Sequence, residues 1–210
     1  MGRIARLRYL LALLPLLAFL PGCASMSKDE CLTVDWQTVG FEDGAAGRPA
    51  DHIAQHRKAC AKHGVTPDLR AYQAGREQGL REYCQPQNGY RIGERGGEYA
   101  GSCPADLAPA FEAAWHDGFE LHQRQARVNQ ATNDVAHLRA ELQRAEDDMI
   151  AASALILSHD ADKPAKAQAL VDVQRLAELQ GSLKSQIRQR EQDRAHFQRD
   201  LDEYLASVKP

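Results

Sequence analysis

The chain has 210 residues, 43% hydrophobic and 26% charged, with a formal net charge of −3 and only 6% aromatic residues. That balance offers no Lys/Arg stripe for nucleic acid and no cationic surface for anionic lipid headgroups. Four of the five cysteines stand between residues 31 and 103 and none follows, so the chain reads as one stapled part and one held by something else.

The first segment places Arg3, Arg6 and Arg8 before the apolar run "YLLALLPLLAFLPG". A basic stretch, an apolar run and a small residue are the layout of a secretory signal. The run is shorter than the ~20 apolar residues a spanning helix needs, and Pro15 weakens it further. "LPGC" resembles the bacterial lipobox, with Pro21 where Ala or Ser is more usual. Residues 1–22 are therefore expected to be a lipoprotein-type signal peptide, and Cys23 the lipidated N-terminus of the mature chain. Acyl chains contribute about 0.8 kcal/mol per buried methylene, so such an anchor needs no spanning helix. Ala24 follows Cys23 where Asp would signal inner-membrane retention, so the outer membrane facing the periplasm is the expected address. Removing residues 1–22 takes away three arginines and no acid, which moves the formal charge from −3 to −6.

Residues 23–118 form the expected stapled domain. Cys31, Cys60, Cys84 and Cys103 make an even set in an exported chain, which reads as two disulfides. Helices are expected at 36–44, at 50–63 ending on Gly64, and at 67–84 with Thr66 as cap and Pro67 at the first helical position. "QPQNGY" at 85–90 reads as a turn, and "GERGGEYAGSCP" is too glycine-rich for a long element. The pairs Gly40/Gly44, Gly75/Gly79, Gly93/Gly97 and Ala114/Gly118 put small residues at i and i+4. Glycine inside a helix costs about 1 kcal/mol against alanine, so the pairs predict faces where another backbone approaches closely. Trp36, Tyr72, Tyr90 and Trp115 would fill the space beside them. The spacing of these units is too irregular for a solenoid.

If the 50–63 and 67–84 helices pair antiparallel, Cys60 and Cys84 lie about 20 Å apart, against a Cα separation of roughly 6 Å for a bridge. That favours Cys31–Cys60 with Cys84–Cys103, and leaves Cys31–Cys84 with Cys60–Cys103 as the alternative. His52, His56, Cys60 and His63 share one face of the 50–63 helix. Histidines at i and i+4 can reach one ion, but four ligands spread over about 16 Å cannot all meet it. His52 and His56 are thus weak metal candidates beside the plainer reading of a solvated face. With no triad, nucleotide loop or paired-carboxylate site in view, neither an enzyme activity nor a cofactor is expected.

The stretches "CLTVDWQTVGFEDG", "HRKACAKHGVTPDLRAYQAGREQGLREYCQPQNGYRIGERGGEYAGSCP" and "AWHDG" resemble a group of bacterial envelope lipoproteins defined by a domain of unknown function (number 2799). The likeness covers roughly residues 30 to 121 and includes all four mature cysteines. It implies an exported, lipoprotein-like address and brings no activity or catalytic residue.

From Val128 the apolar residues Val128, Ala131, Val135, Leu138, Leu142, Ala145, Met149, Ala152 and Ile156 advance in steps of three and four. A second run reads Ala169, Val173, Leu176, Gln180, Leu183, Ile187, Arg190, Arg194, Phe197, Leu201, Tyr204 and Val208, with Gln180, Arg190 and Arg194 interrupting the seam. Sustained heptads mark coiled coil. Across "SHDADKPAK", with Pro164 placed to start the second helix, they predict an antiparallel hairpin over residues 119–210. Asp106 could cap the first arm, and no stop signal precedes Leu157, so one helix is expected to join the two parts. The expected fold is mainly α: a small disulfide-stapled, Gly-rich helical domain continuing into a long antiparallel coiled-coil hairpin. The expected role is structural or protein-interacting, membrane-bound through lipid on Cys23. The hairpin would meet another envelope protein or a second copy, and no nucleic acid. The alternative is a small periplasmic metal- or ligand-binding module using His52 and His56.

Overall fold

A computed structural model describes residues 26–208; the signal segment 1–22 and Cys23 lie outside the described residues. Among these there is no β-strand. The helices are α1 (Lys28–Thr33), α2 (Trp36–Ala45), α3 (Ile53–Ala61, entered through a 3-10 turn at Ala50–His52), α4 (Leu69–Tyr83), α5 (Pro86–Glu94), α6 (Ala108–Leu157) and α7 (Lys163–Ser207). No helix among the described residues is long and apolar enough to cross a membrane.

Local chemistry sets the boundaries. Ser27 and Glu30 form a reciprocal capping box on α1, and the Asp35 carboxylate accepts the Gln37 and Thr38 amides of α2. Asp68, not Thr66, caps α4, accepting from Arg70 and Ala71. A carboxylate answers both the free amides and the positive end of the helix dipole, which a hydroxyl does only in part. Gly64, at φ +73°, lies just beyond α3, where L side chains are strained. The largest departure from expectation is α5. The "QPQNGY" stretch continues as a helix, with Pro86 in its first turn and the Asn88 amide donating back to the Tyr83 carbonyl at 2.8 Å.

The helix contacts explain why a segment rich in turn residues is helical. Gly40 and Gly44 on α2 face the backbone of Tyr72, Arg76 and Leu80 on α4, while Gly75 and Gly79 face Gln37, Phe41 and Ala45 in return. Residue numbers rise together on both helices, so the pair is parallel. The same arrangement recurs between α5 and α6. There Gly89 and Gly93 face Phe111, Trp115 and Phe119, and Gly118 faces Tyr90 and Glu94. The small pair on α5 is thus Gly89/Gly93 rather than Gly93/Gly97, since Gly97 lies beyond the helix end. Each glycine brings two backbones to a distance that any β-carbon would forbid.

Two parallel helices need a crossover. α3 serves as crossover for the first pair and the loop 95–107 for the second. Each crossover is bridged to the chain just ahead of its unit's first packed helix, Cys60 of α3 to Cys31 within α1 and Cys103 of the loop to Cys84 at the end of α4. The stapled half is therefore two successive helix–crossover–helix units. The bridges are the pairs that an antiparallel 50–63 and 67–84 pair favoured, yet α4 lies along α2 and not antiparallel to the 50–63 helix. Around the first bridge pack Trp36, Ile53 and Tyr72; around the second, Leu80 and Phe111. The bridges span 29 and 19 residues of sequence, and each should contribute about 3 kcal/mol in the chain-entropy account. A Cys84→Ser, Cys103→Ser double variant is expected to lose about that much in urea unfolding. A loss below about 1 kcal/mol would contradict the staple role.

α6 enters from the loop at Leu107 without a side-chain cap, with Pro109 in its first turn. Asp106 does not cap it; its carboxylate pairs with Arg81 of α4 at 3.2 Å. The helix then runs unbroken from α5 to Leu157, and α7, capped by Asp162, returns antiparallel along it. Ion pairs mark the antiparallel course, as Arg127 meets Asp200 at 2.8 Å, Arg139 meets Glu191 at 2.5 Å and Lys184 meets Glu146 at 3.8 Å. Val128, Ala131, Val135, Ala145, Ala169, Leu176, Leu183, Ile187 and Leu201 are buried along the seam. Gln180 stays in it by donating to the Ala145 carbonyl at 3.2 Å. Arg190 and Arg194 are exposed, and the Arg190 guanidinium reaches Asp134 on the other arm at 3.8 Å. At 1.5 Å per residue α7 is roughly 68 Å long.

Candidate functional site

In the first unit the face of α2 that carries Gly40 and Gly44 also carries Asp43, one helical position from Gly44. That face is closed by α4, so the carboxylate is buried. A buried carboxylate needs donors; Tyr72 and His56 stand within hydrogen-bond distance of it, and His52 just beyond. Tyr72 of α4 donates its hydroxyl to Asp43 Oδ2 at 2.7 Å. His56 of α3 places Nε2 2.9 Å from the same oxygen, and His52 places Nε2 3.7 Å from Oδ1. The two imidazoles meet edge to face with centroids 5.4 Å apart, and Trp36 closes the far side of His56 at 6.3 Å.

The sequence carries His52 and His56 to one point because the 3-10 turn at 50–52 leads directly into α3, which keeps them one helical turn apart. Pro49 precedes that turn, and the chain after α2 reverses at Gly47, whose φ is +68°. Burial, and then the hydrogen bond to Asp43, pushes the Tyr72 phenol above its ordinary pKa range. It therefore stays protonated and donating at any physiological pH. The histidine side chains remain 14% and 20% accessible, so the site is not sealed from solvent.

Of the four residues on the predicted histidine face, His52 and His56 meet at Asp43, Cys60 is spent in its disulfide, and His63 stands apart from the cluster. Asp43 and Tyr72 were not legible as site residues from spacing, because no local pattern joins α2, α3 and α4. One signal was present: an acid on the glycine face of a helix must be buried and must find partners. Asp43, His52 and His56 each offer a ligand atom, all within 4.8 Å of one another.

The other feature of note lies at the far end of the hairpin. Ile150 and Leu157 on α6, and Leu170 and Val171 on α7, are 59–80% exposed. They flank the turn between the arms and face away from the seam, whose buried Ala169 adjoins Leu170.

Residues 35–120 match the family described as "Protein of unknown function (DUF2799)". The match takes in both glycine-packed units and three of the four bridged cysteines. It leaves out Cys31 and ends within α6, before the first buried seam residue, Val128. No curated protein and no solved structure matches the chain.

Proposed function

We propose that the chain is a bacterial envelope lipoprotein with a structural or protein-interacting, non-enzymatic role. Lipid on Cys23 tethers it to the outer membrane, facing the periplasm, and the α6–α7 hairpin reaches away to meet another envelope protein. The address rests on the lipobox-like "LPGC" and agrees with two disulfides in the part that follows. The interaction role rests on one observation: a long hairpin, rigid by its seam, ends in four exposed large apolar side chains. Clustered exposed apolar residues mark contact surfaces, and a self-sufficient hairpin has no use for them at its tip.

Two measurements test the two halves of this reading. Cys23→Ser should leave the protein unlipidated and soluble or unprocessed. Incorporation of labelled fatty acid by the Cys23→Ser variant, or by neither the variant nor the unaltered protein, would refute the anchor. A photoreactive residue at Ile150 or Leu170 in intact cells should give a discrete protein adduct that the same group at exposed Arg144 does not. Equal labelling from both places would refute a specific partner at the tip, and an adduct of twice the chain's own mass would identify a second copy.

A further inference from the structure

The two units invite a comparison of equivalent positions. Contact for contact, Gly40 and Gly44 correspond to Gly89 and Gly93, and Tyr72 and Gly79 to Phe111 and Gly118. Asp43 then falls where the second unit has Ile92, and the hydroxyl-bearing Tyr72 where it has Phe111. Ile92 packs in the cluster around fully buried Phe111. The same backbone arrangement is therefore closed by apolar side chains in one unit and by a carboxylate, a phenol and two imidazoles in the other. A buried carboxylate is rarely better for stability than a well-packed apolar side chain, so close packing does not account for Asp43.

We propose that Asp43, His52 and His56 form a binding site for a divalent transition-metal ion of the zinc class. Two imidazoles and one carboxylate are a ligand set for Zn2+ or its neighbours; Ca2+ and Mg2+ prefer all-oxygen sites. The distances fit. Ligand atoms bound at about 2.0–2.1 Å in a tetrahedron lie about 3.3 Å from one another. The present separations, 2.9 Å from His56 Nε2 and 3.7 Å from His52 Nε2 to the two Asp43 oxygens, bracket that value. On binding, the ion takes the place of the proton between His56 and Asp43; that proton moves to Nδ1 of a neutral ring, or leaves to solvent from an imidazolium, so that both imidazoles ligate as neutral rings through Nε2. Tyr72 keeps its hydrogen bond to Oδ2 and holds the carboxylate in position, as outer-shell partners of metal ligands do. Three protein ligands leave a fourth position, and the partly accessible histidines place it toward solvent. Such a site suits an exchangeable ion better than a closed structural one.

The site goes beyond the tethering role and does not depend on it. The full-length protein, purified in detergent, should bind one Co2+ per chain with visible absorption bands that Zn2+ then removes. His52→Gln and His56→Gln should each weaken binding by more than tenfold, and Tyr72→Phe by about tenfold, while His63→Gln leaves it unchanged. Tryptophan fluorescence checks that each variant is folded; if His56→Gln is not, His52→Gln carries the test. Absence of Co2+ and Zn2+ binding by the unaltered protein would overturn the proposal. So would equal affinity in a folded His52→Gln variant, which would trace the binding to histidines elsewhere.

Discussion

Gly75→Ala should unfold the stapled half, although the same substitution at Gly181 should stabilise the protein. A β-carbon on Gly75 would stand 2.7 Å from the Gln37 carbonyl carbon and 2.9 Å from the Phe41 amide nitrogen. Both belong to the backbone of α2, held by its own helical hydrogen bonds, and cannot rotate aside. The helices must instead move apart by about 1 Å to reach ordinary contact. Gly40 and Gly79 sit in the same interface, so their close contacts open with it, and Tyr72 and Asp43 lose the register that joins them. Overpacking costs about 1–3 kcal/mol where side chains can yield; against unyielding backbone we expect more than 3 kcal/mol. In a small domain that is a large share of the total stability. At Gly181, on α7, an added methyl meets nothing within 4 Å, and alanine gains about 1 kcal/mol from helix propensity. The two tryptophans, Trp36 and Trp115, both lie in the stapled half. Their fluorescence in a urea titration therefore reports that half separately from the far-UV signal of the hairpin. Coincident titrations for Gly75→Ala and the unaltered chain would refute the backbone-contact account.

The contrast between the two glycines shows what was legible in the residues. The i, i+4 spacing on α2 and α4 announced close packing because a glycine in a helix interior has few other uses. On α5 the same logic failed, since Pro86, Asn88 and Gly89 in six residues also satisfy the chemistry of a turn. Only the partner helix α6 decides between a glycine that reverses the chain and one that admits a neighbour. Disulfide partners were reached through a packing that does not occur. The wrong hairpin kept Cys60 and Cys84 apart, as the true crossover also does, and so led to the same bridges. The site was half visible: His52 and His56 lie one turn apart within a single segment, whereas Asp43 and Tyr72 arrive from helices whose pairing the heptad and turn rules do not address.

The hairpin was the most legible element, and its seam carries the other large effect. Leu183 is 4% exposed and lies in one cluster with Ala145 and Leu176, bordered by Leu138, Leu142 and Met149. Leu183→Asp should separate the arms over their middle section. Removing the buried leucine costs about 2–5 kcal/mol, and an unpaired polar group left in an apolar seam adds a few more. A helix of this length in water depends on its packed face more than on propensity, so the loss should appear as a fall in far-UV helicity and an earlier thermal transition. Tryptophan fluorescence should change little, because α5 holds the start of α6 independently of α7. Leu170 provides the control, since it is 59% exposed and stands thirteen residues before Leu183, on the opposite side of α7. Leu170→Asp should shift stability by no more than about 0.5 kcal/mol. The two substitutions have the same chemistry and the same helix, and differ in the face they occupy. Equal melting of the two variants would mean that the seam does not hold the hairpin, and that the arms are kept together by the ion pairs along their edges.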